Sequence, residues 1–147
     1  MHSRVVSQRN VVATTLYGLL NPIPFGCFVA ALIFDATYAH TGVLLWIKGA
    51  AWLIVFGLLF AIVPRLVNLV QVWITSRHAL WRGARIDFWL NLVAIVVAIV
   101  NAFVHTRDAY AAVPMGVWLS AVTVLLLAVA HILVAVYAND HGVIVHD

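Results

Sequence analysis

Asp87–His105 reads DFWLNLVAIVVAIVNAFVH, and the placing of its few polar and small residues decides the fold. Asp87, Asn91, Ala94, Ala98, Asn101 and His105 follow one another at steps of four, three, four, three and four, which is the period of one side of an α-helix. Large apolar side chains fill most of the other directions. Such a helix suits a bilayer: lipid takes the apolar faces, and the polar groups turn to a bundle interior where they pair. This stretch is therefore expected to be central in a membrane helix bundle.

Working outward, three more apolar runs flank it, giving spans at roughly Pro24–Ala39, Val43–Val63, Phe88–Val104 and Pro114–Ala138. A span needs about 20 mostly apolar residues at about 1.5 Å each to cover about 30 Å of hydrocarbon. The chain is 65% hydrophobic and 9% charged with a mean hydropathy of +1.08, which excludes a water-soluble globule. In hydrocarbon the backbone must satisfy its own polar groups, and these runs are too long and continuous for barrel strands. The expectation is an all-α, integral membrane four-helix bundle forming one domain over residues 1–147. The only long connection is Thr75–Asp87, so no soluble catalytic domain is expected.

The net charge of +3 and pI near 9.5 report topology rather than nucleic-acid binding. Arg4 and Arg9 precede the first span, and Arg77, Arg82 and Arg85 lie between spans two and three, against Lys48 and Arg107 on the other side. That bias puts both termini and the 75–87 connection in the cytoplasm. Val11–Leu20 is apolar without a convincing signal-peptide cleavage site, and reads as an interfacial helix or as the lead into span one. The single cysteine, Cys27, excludes an intramolecular disulfide and a cysteine-based metal site, and reads as a small buried hydrophobe.

Other faces are weaker signals. Gly26 and Ala30 make a small-xxx-small pair on span one, which predicts close helix approach there. Ala50, Ile54, Gly57, Ala61, Pro64 and Asn68 form a narrow stripe on span two, with Pro64 expected to bend the helix. Gly116, Ser120 and Thr123 make a small face on span four. Trp46, Trp118, Tyr38 and Tyr110 fall near one interface and Trp73, Trp81, Trp89 and Tyr137 near the other, as an aromatic belt.

Three strings, PIPFGCFVAALIFDATY (22–38), NAFVHTRDAY (101–110) and YANDHGVIV (137–145), resemble a family of small bacterial membrane proteins, domain of unknown function 2231. The resemblance runs from about Pro22 to Val145 and implies a four-helix inner-membrane protein of unsettled role. His105, Arg107 and Asp108 match the family's string, and Asp35 matches the acidic residue closing its first span. Family members commonly carry a His-Pro-x-His-Pro-like element before that span. Here the stretch reads LYGLLNPIPF (16–25) without histidine, so any chemistry of those histidines does not carry over.

Intramembrane ionisable residues are the candidates for chemistry. One reading is an outer polar or ligand cluster of Asp35, His40, Lys48, Asn101, His105, Arg107 and Asp108, with Asp35 and His105 titrating and Arg107 holding an anion, against the plainer reading of ion pairs and helix caps. A second is an inner cluster of Arg65, Asp87, Asn91 and His131, with Asp87 paired to Arg65 or Arg85 and His131 bonded to Asn91 or a backbone carbonyl. A third is heme b between His40 and His105. His131 lies about 26 Å along the helix from Pro114 at about 1.5 Å per residue, too deep to share an iron with His105. No phosphate loop appears, Glu is absent, and no Ser-His-Asp set sits at a plausible site. The terminal Asp140, His141 and His146 read as a polar tail.

No catalytic residue or metal site is expected. The leading reading is a non-enzymatic accessory or structural subunit of a larger membrane assembly, for instance a respiratory one, in the bacterial inner membrane, alone as a homo-oligomer or with other subunits. The alternative is a redox or small-molecule element binding heme b or quinone, or a small permease.

Overall fold

The computed structural model describes residues 22–75 and 82–142, with side chains over 22–62, 86–133 and 135–136. Those residues are helical with short connections. The long helices are α1 Pro22–Thr41, α2 Leu44–Thr75, α3 Arg82–His105 and α5 Met115–Gly142, and α4 is a single turn, Ala109–Ala112. All four long helices contain a stretch long and apolar enough to cross a membrane: Pro22–Thr41, Leu44–Ile62, Ile86–His105 and Met115–Leu133. The all-α four-helix architecture is as the hydropathy pattern predicts.

Local chemistry sets the ends. Pro22 opens α1, where its missing N–H has no helical partner to lose. Gly42 closes α1 with φ +67°, and its N–H donates to the Tyr38 carbonyl at 2.8 Å, a left-handed cap that glycine adopts without steric cost. Only Gly42 and Val43 then separate α1 from α2, so the two helices return antiparallel. Asp108 precedes α4, and its carbonyl accepts from the Ala111 and Ala112 N–H groups at 2.8 and 3.2 Å.

One boundary differs from the sequence reading. Residues 82–87 belong to α3 rather than to a 75–87 loop, because polar residues such as Arg82 and Arg85 are good helix formers even where hydropathy is low. The helix α2 runs on through Pro64 to Thr75, where the 75–87 connection was expected to begin. Val11–Leu20, the side chains of Asn68 and Trp73, and the terminal His146 lie outside the described residues.

The helix α1 packs against α2 and α5, and α3 packs against α5 and α2. The four thus close a ring with α1 and α3 facing across one diagonal. Each long helix buries a narrow stripe. On α3 it is Asn91, Ala94, Ala98, Asn101 and Val104, while Leu92, Val93, Val96, Ile99, Val100 and Phe103 point outward. On α2 the stripe is Ala50, Ile54, Gly57 and Ala61, and on α5 Gly116, Ser120, Thr123, Leu127 and Ala130.

The α1 face corrects the sequence reading. Gly26 is exposed with nothing within 4 Å of where its Cβ would lie, so the Gly26–Ala30 pair is not a close-packing contact. The buried residues are Phe28, Ala31, Asp35 and Tyr38. The small residues that admit α1 sit on its partner. A Cβ on Gly57 would lie 2.9 Å from Phe28 Cε1, and one on Gly49 would lie 2.7 Å from Phe34 Cδ2. In lipid such fitted packing replaces the hydrophobic force as the drive for association. Tyr38 is buried rather than part of an interfacial belt, whereas Tyr110, Trp118 and Trp89 are exposed.

Inside, the bundle is layered. Phe28, Ala31, Ile54, Ala94, Ala98 and Leu127 form one apolar cluster. Tyr38, Ile47, Val104 and Ala112 form a second, with Trp46, Ala109, Val113 and Leu119 packed on it. Between these apolar layers lies a polar one.

Candidate functional site

The polar layer is assembled from three helices. Asp35 comes from α1, Asn101 and His105 from α3, and Ser120 from α5. Each falls on its helix's buried stripe, so the heptad-like spacing that packs the helices also aims these groups at one another. Asp35 and Asn101 are each 1% exposed, and the side chain of His105 is likewise 1% exposed.

Their hydrogen bonds form a circuit. The Asn101 Nδ2 group donates to Ser120 Oγ at 2.8 Å. Ser120 Oγ donates to Asp35 Oδ2 at 2.5 Å. Asp35 Oδ1 lies 2.7 Å from His105 Nε2, and His105 Nδ1 lies 2.9 Å from the Asn101 backbone carbonyl. The circuit begins and ends on Asn101.

Donor and acceptor rules fix most of the protons. A carbonyl oxygen only accepts, so His105 Nδ1 carries a hydrogen. Ser120 gives its one hydrogen to Asp35. The 2.7 Å contact between His105 Nε2 and Asp35 Oδ1 then needs exactly one more proton, held by either partner. The pair is imidazolium with carboxylate, or neutral imidazole with carboxylic acid, and both forms have zero net charge. Moving the proton therefore changes no net charge in a low-dielectric layer, where an isolated charge would be very costly.

Placed against the sequence candidates, the structure brings together Asp35, Asn101 and His105 and adds Ser120, which had been read only as part of a small face. Arg107 and Asp108 are exposed in the turn before α4, and His40 and Lys48 are exposed as well. None of these four takes part in the circuit. Among the described residues Asp35–His105 is the one ion pair, so the wider outer cluster contracts to this core.

A Ser-His-Asp set does occur at one site, contrary to the sequence reading. Its order is Ser–Asp–His: the carboxylate stands between the other two. A hydrolytic triad needs the imidazole between serine and acid so that it can take the serine proton. Ser120 Oγ donates to Asp35 and is not bonded to a histidine, so the arrangement is not that of a hydrolytic triad.

The heme reading does not fit this donor set. Both ring nitrogens of His105 are engaged, one by Asn101 and one by Asp35, and His40 is exposed at the end of α1. No lone pair of His105 is directed at an iron.

At the Asp87 end, Asn91 Nδ2 donates to the Asp87 carbonyl at 2.8 Å and to Asp87 Oδ1 at 2.7 Å, one turn away on the same helix. His131 does not join them. It is exposed, its Nδ1 donates to the Leu127 carbonyl at 2.7 Å, and its ring lies 5.5 Å from that of Phe25. The buried position on that turn of α5 belongs to Ala130. The side chains of Arg65 and Arg85 lie outside the described residues.

Comparison with family models, with curated proteins and with solved structures gave no match.

Proposed function

We propose that this chain is an accessory subunit of a larger membrane assembly in a bacterial inner membrane, and that its working part is the single proton shared by Asp35 and His105. The observation that carries this reading is Asp35 itself, buried at 1% exposure and bonded to two other helices. Helix association in lipid needs small-residue packing of the Phe28–Gly57 kind, which the bundle already has. An acid–base pair at membrane depth is more than packing requires and is expensive to bury.

The exposed apolar faces, including Leu45, Trp52, Phe103 and Trp118, suit lipid together with neighbouring subunits or copies. The arginine bias places both termini in the cytoplasm and the Asp35–His105 layer toward the outer leaflet. The strings that resemble domain of unknown function 2231 point to the same setting.

The test is mild extraction of tagged protein from its native membrane, followed by mass spectrometry of what travels with it. Defined membrane subunits should co-purify with the wild type, and the isosteric Asp35→Asn variant should still assemble while the assembly loses activity. An isolated chain with no partner would contradict the accessory role. Full activity in Asp35→Asn would contradict the role of the proton.

The second reading is a quinone-contacting element. It is favoured by the Asn101 side-chain oxygen, a buried acceptor without a hydrogen-bond partner among the described residues, which would suit a quinol hydroxyl. Quinone recovered from the purified protein would select this reading.

A further inference from the structure

One proton has two places to rest in the Asp35–His105 pair, and the groups around the pair are not neutral between them. While Asp35 Oδ1 meets His105 Nε2, Asp35 Oδ2 accepts the Ser120 hydroxyl at 2.5 Å. A donor aimed at a carboxylate binds roughly twice as strongly as one aimed at an uncharged oxygen. The Ser120 bond therefore weighs toward carboxylate with imidazolium.

The direction of the Ser120 hydrogen is itself set. Its oxygen receives the Asn101 Nδ2 group at 2.8 Å, so the hydroxyl hydrogen is turned away from Asn101 and onto Asp35. An acid proton on Asp35 Oδ2 would point at that same hydrogen. The neutral form is thus confined to a proton on Oδ1, facing Nε2.

The imidazole is held from its other side. Nδ1–H donates to the Asn101 backbone carbonyl at 2.9 Å, a bond that is stronger from imidazolium. A Cβ on Gly116 would lie 3.0 Å from His105 Cε1, so bare glycine backbone packs against that edge and leaves the ring no room to swing. Imidazole is the stronger base of the pair by about 400-fold in water. A dry layer disfavours separated charge and takes back much of that margin, which leaves the hydrogen bonds to decide.

We propose that the shared proton rests on His105, and that Ser120, aimed by Asn101, is the positioning residue that keeps it there. The inference rests on the shared-proton reading above and deepens it by naming what governs the proton's place. Passage to the other form breaks Nε2–H as Oδ1–H is made, and the pair stays neutral overall. The other charged side chains nearest this end of the bundle, Lys48 on α2 and Arg107 and Asp108 before α4, are exposed.

The test is nuclear magnetic resonance of the full chain in lipid nanodiscs, labelled at the histidine ring nitrogens and the aspartate carboxyl carbons. Wild type should show both His105 ring nitrogens protonated and Asp35 as carboxylate. Ser120→Ala should lower the ratio of imidazolium to acid form roughly tenfold or more, while Ser120→Thr, which keeps the hydroxyl, should retain the wild-type signals. A purely structural Ser120 would cost stability on truncation without moving the proton. An unchanged ratio in Ser120→Ala therefore overturns the positioning role. Asn101→Ala keeps the backbone carbonyl under Nδ1 but frees the Ser120 hydroxyl, and it serves with the same two outcomes if Ser120→Ala does not fold. Neutral His105 beside acidic Asp35 in the wild type overturns the proposal and leaves the shared proton standing. Absence of any Nε2–Asp35 hydrogen-bond coupling removes the shared-proton reading as well.

Discussion

Asp35 serves two partners on two helices, and that sets how substitutions should rank. Asp35→Ala leaves His105 Nε2 and Ser120 Oγ without their acceptor in a dry layer, and should lower folding stability by about 3 kcal/mol. Ser120→Ala removes the hydroxyl that donates to Asp35 and accepts from Asn101, and should cost about 2 kcal/mol. His131→Ala touches only a bond to its own helix at Leu127 and should stay within about 0.5 kcal/mol. Unfolding in mixed detergent micelles of rising denaturing-detergent fraction measures all three. Equal effects at Asp35 and His131 would contradict the assignment of the polar layer. From the sequence, Asp35, Asn101 and His105 were legible as candidates because ionisable and amide groups are rare in a span. Ser120 was not. Its bond to Asp35 joins residues 85 positions apart, and such a pairing depends on the relative depth of two helices, which no periodicity encodes.

Among the elements, α3 was the most legible. Asn91, Ala94, Ala98 and Asn101 share the face that turns inward, since a polar stripe in an apolar helix has only one stable direction to point. The helix α1 was misread. Gly26 and Ala30 looked like a contact face, but in lipid a small residue faces outward at no cost, so smallness alone is ambiguous. The glycines that matter are those facing a large neighbour, and that requires knowing the partner. Gly57→Ala, with Phe28 and the Cys27 Cβ already 2.9 and 3.3 Å from the new carbon, should cost about 1–3 kcal/mol by overpacking. Gly26→Ala should be within about 0.5 kcal/mol. Reversal of that order in the same unfolding assay would contradict the α1–α2 interface. The far end of the 75–87 connection was misplaced for a related reason: hydropathy marks where a helix leaves the hydrocarbon, not where it ends.

For the whole molecule, a polar layer lies between two apolar ones, and the buried cluster that holds Phe28, Ile54 and Leu127 is expected to seal the bundle interior along its axis. Liposomes carrying the protein and a trapped pH dye should therefore pass protons no faster than protein-free liposomes under an imposed gradient. A leak that tracks protein content would contradict the seal. Orientation is open to cysteine labelling in a Cys27→Ala background: a cysteine near Arg82 should react only from the cytoplasmic side. The most direct measurement of the central claim is a double-mutant cycle on Asp35 and His105, which join α1 and α3 across the diagonal. With Asp35→Asn, His105→Gln and the double variant in lipid, the two losses should couple by roughly 1–3 kcal/mol. Simple additivity of the two losses would contradict the contact on which the site is built.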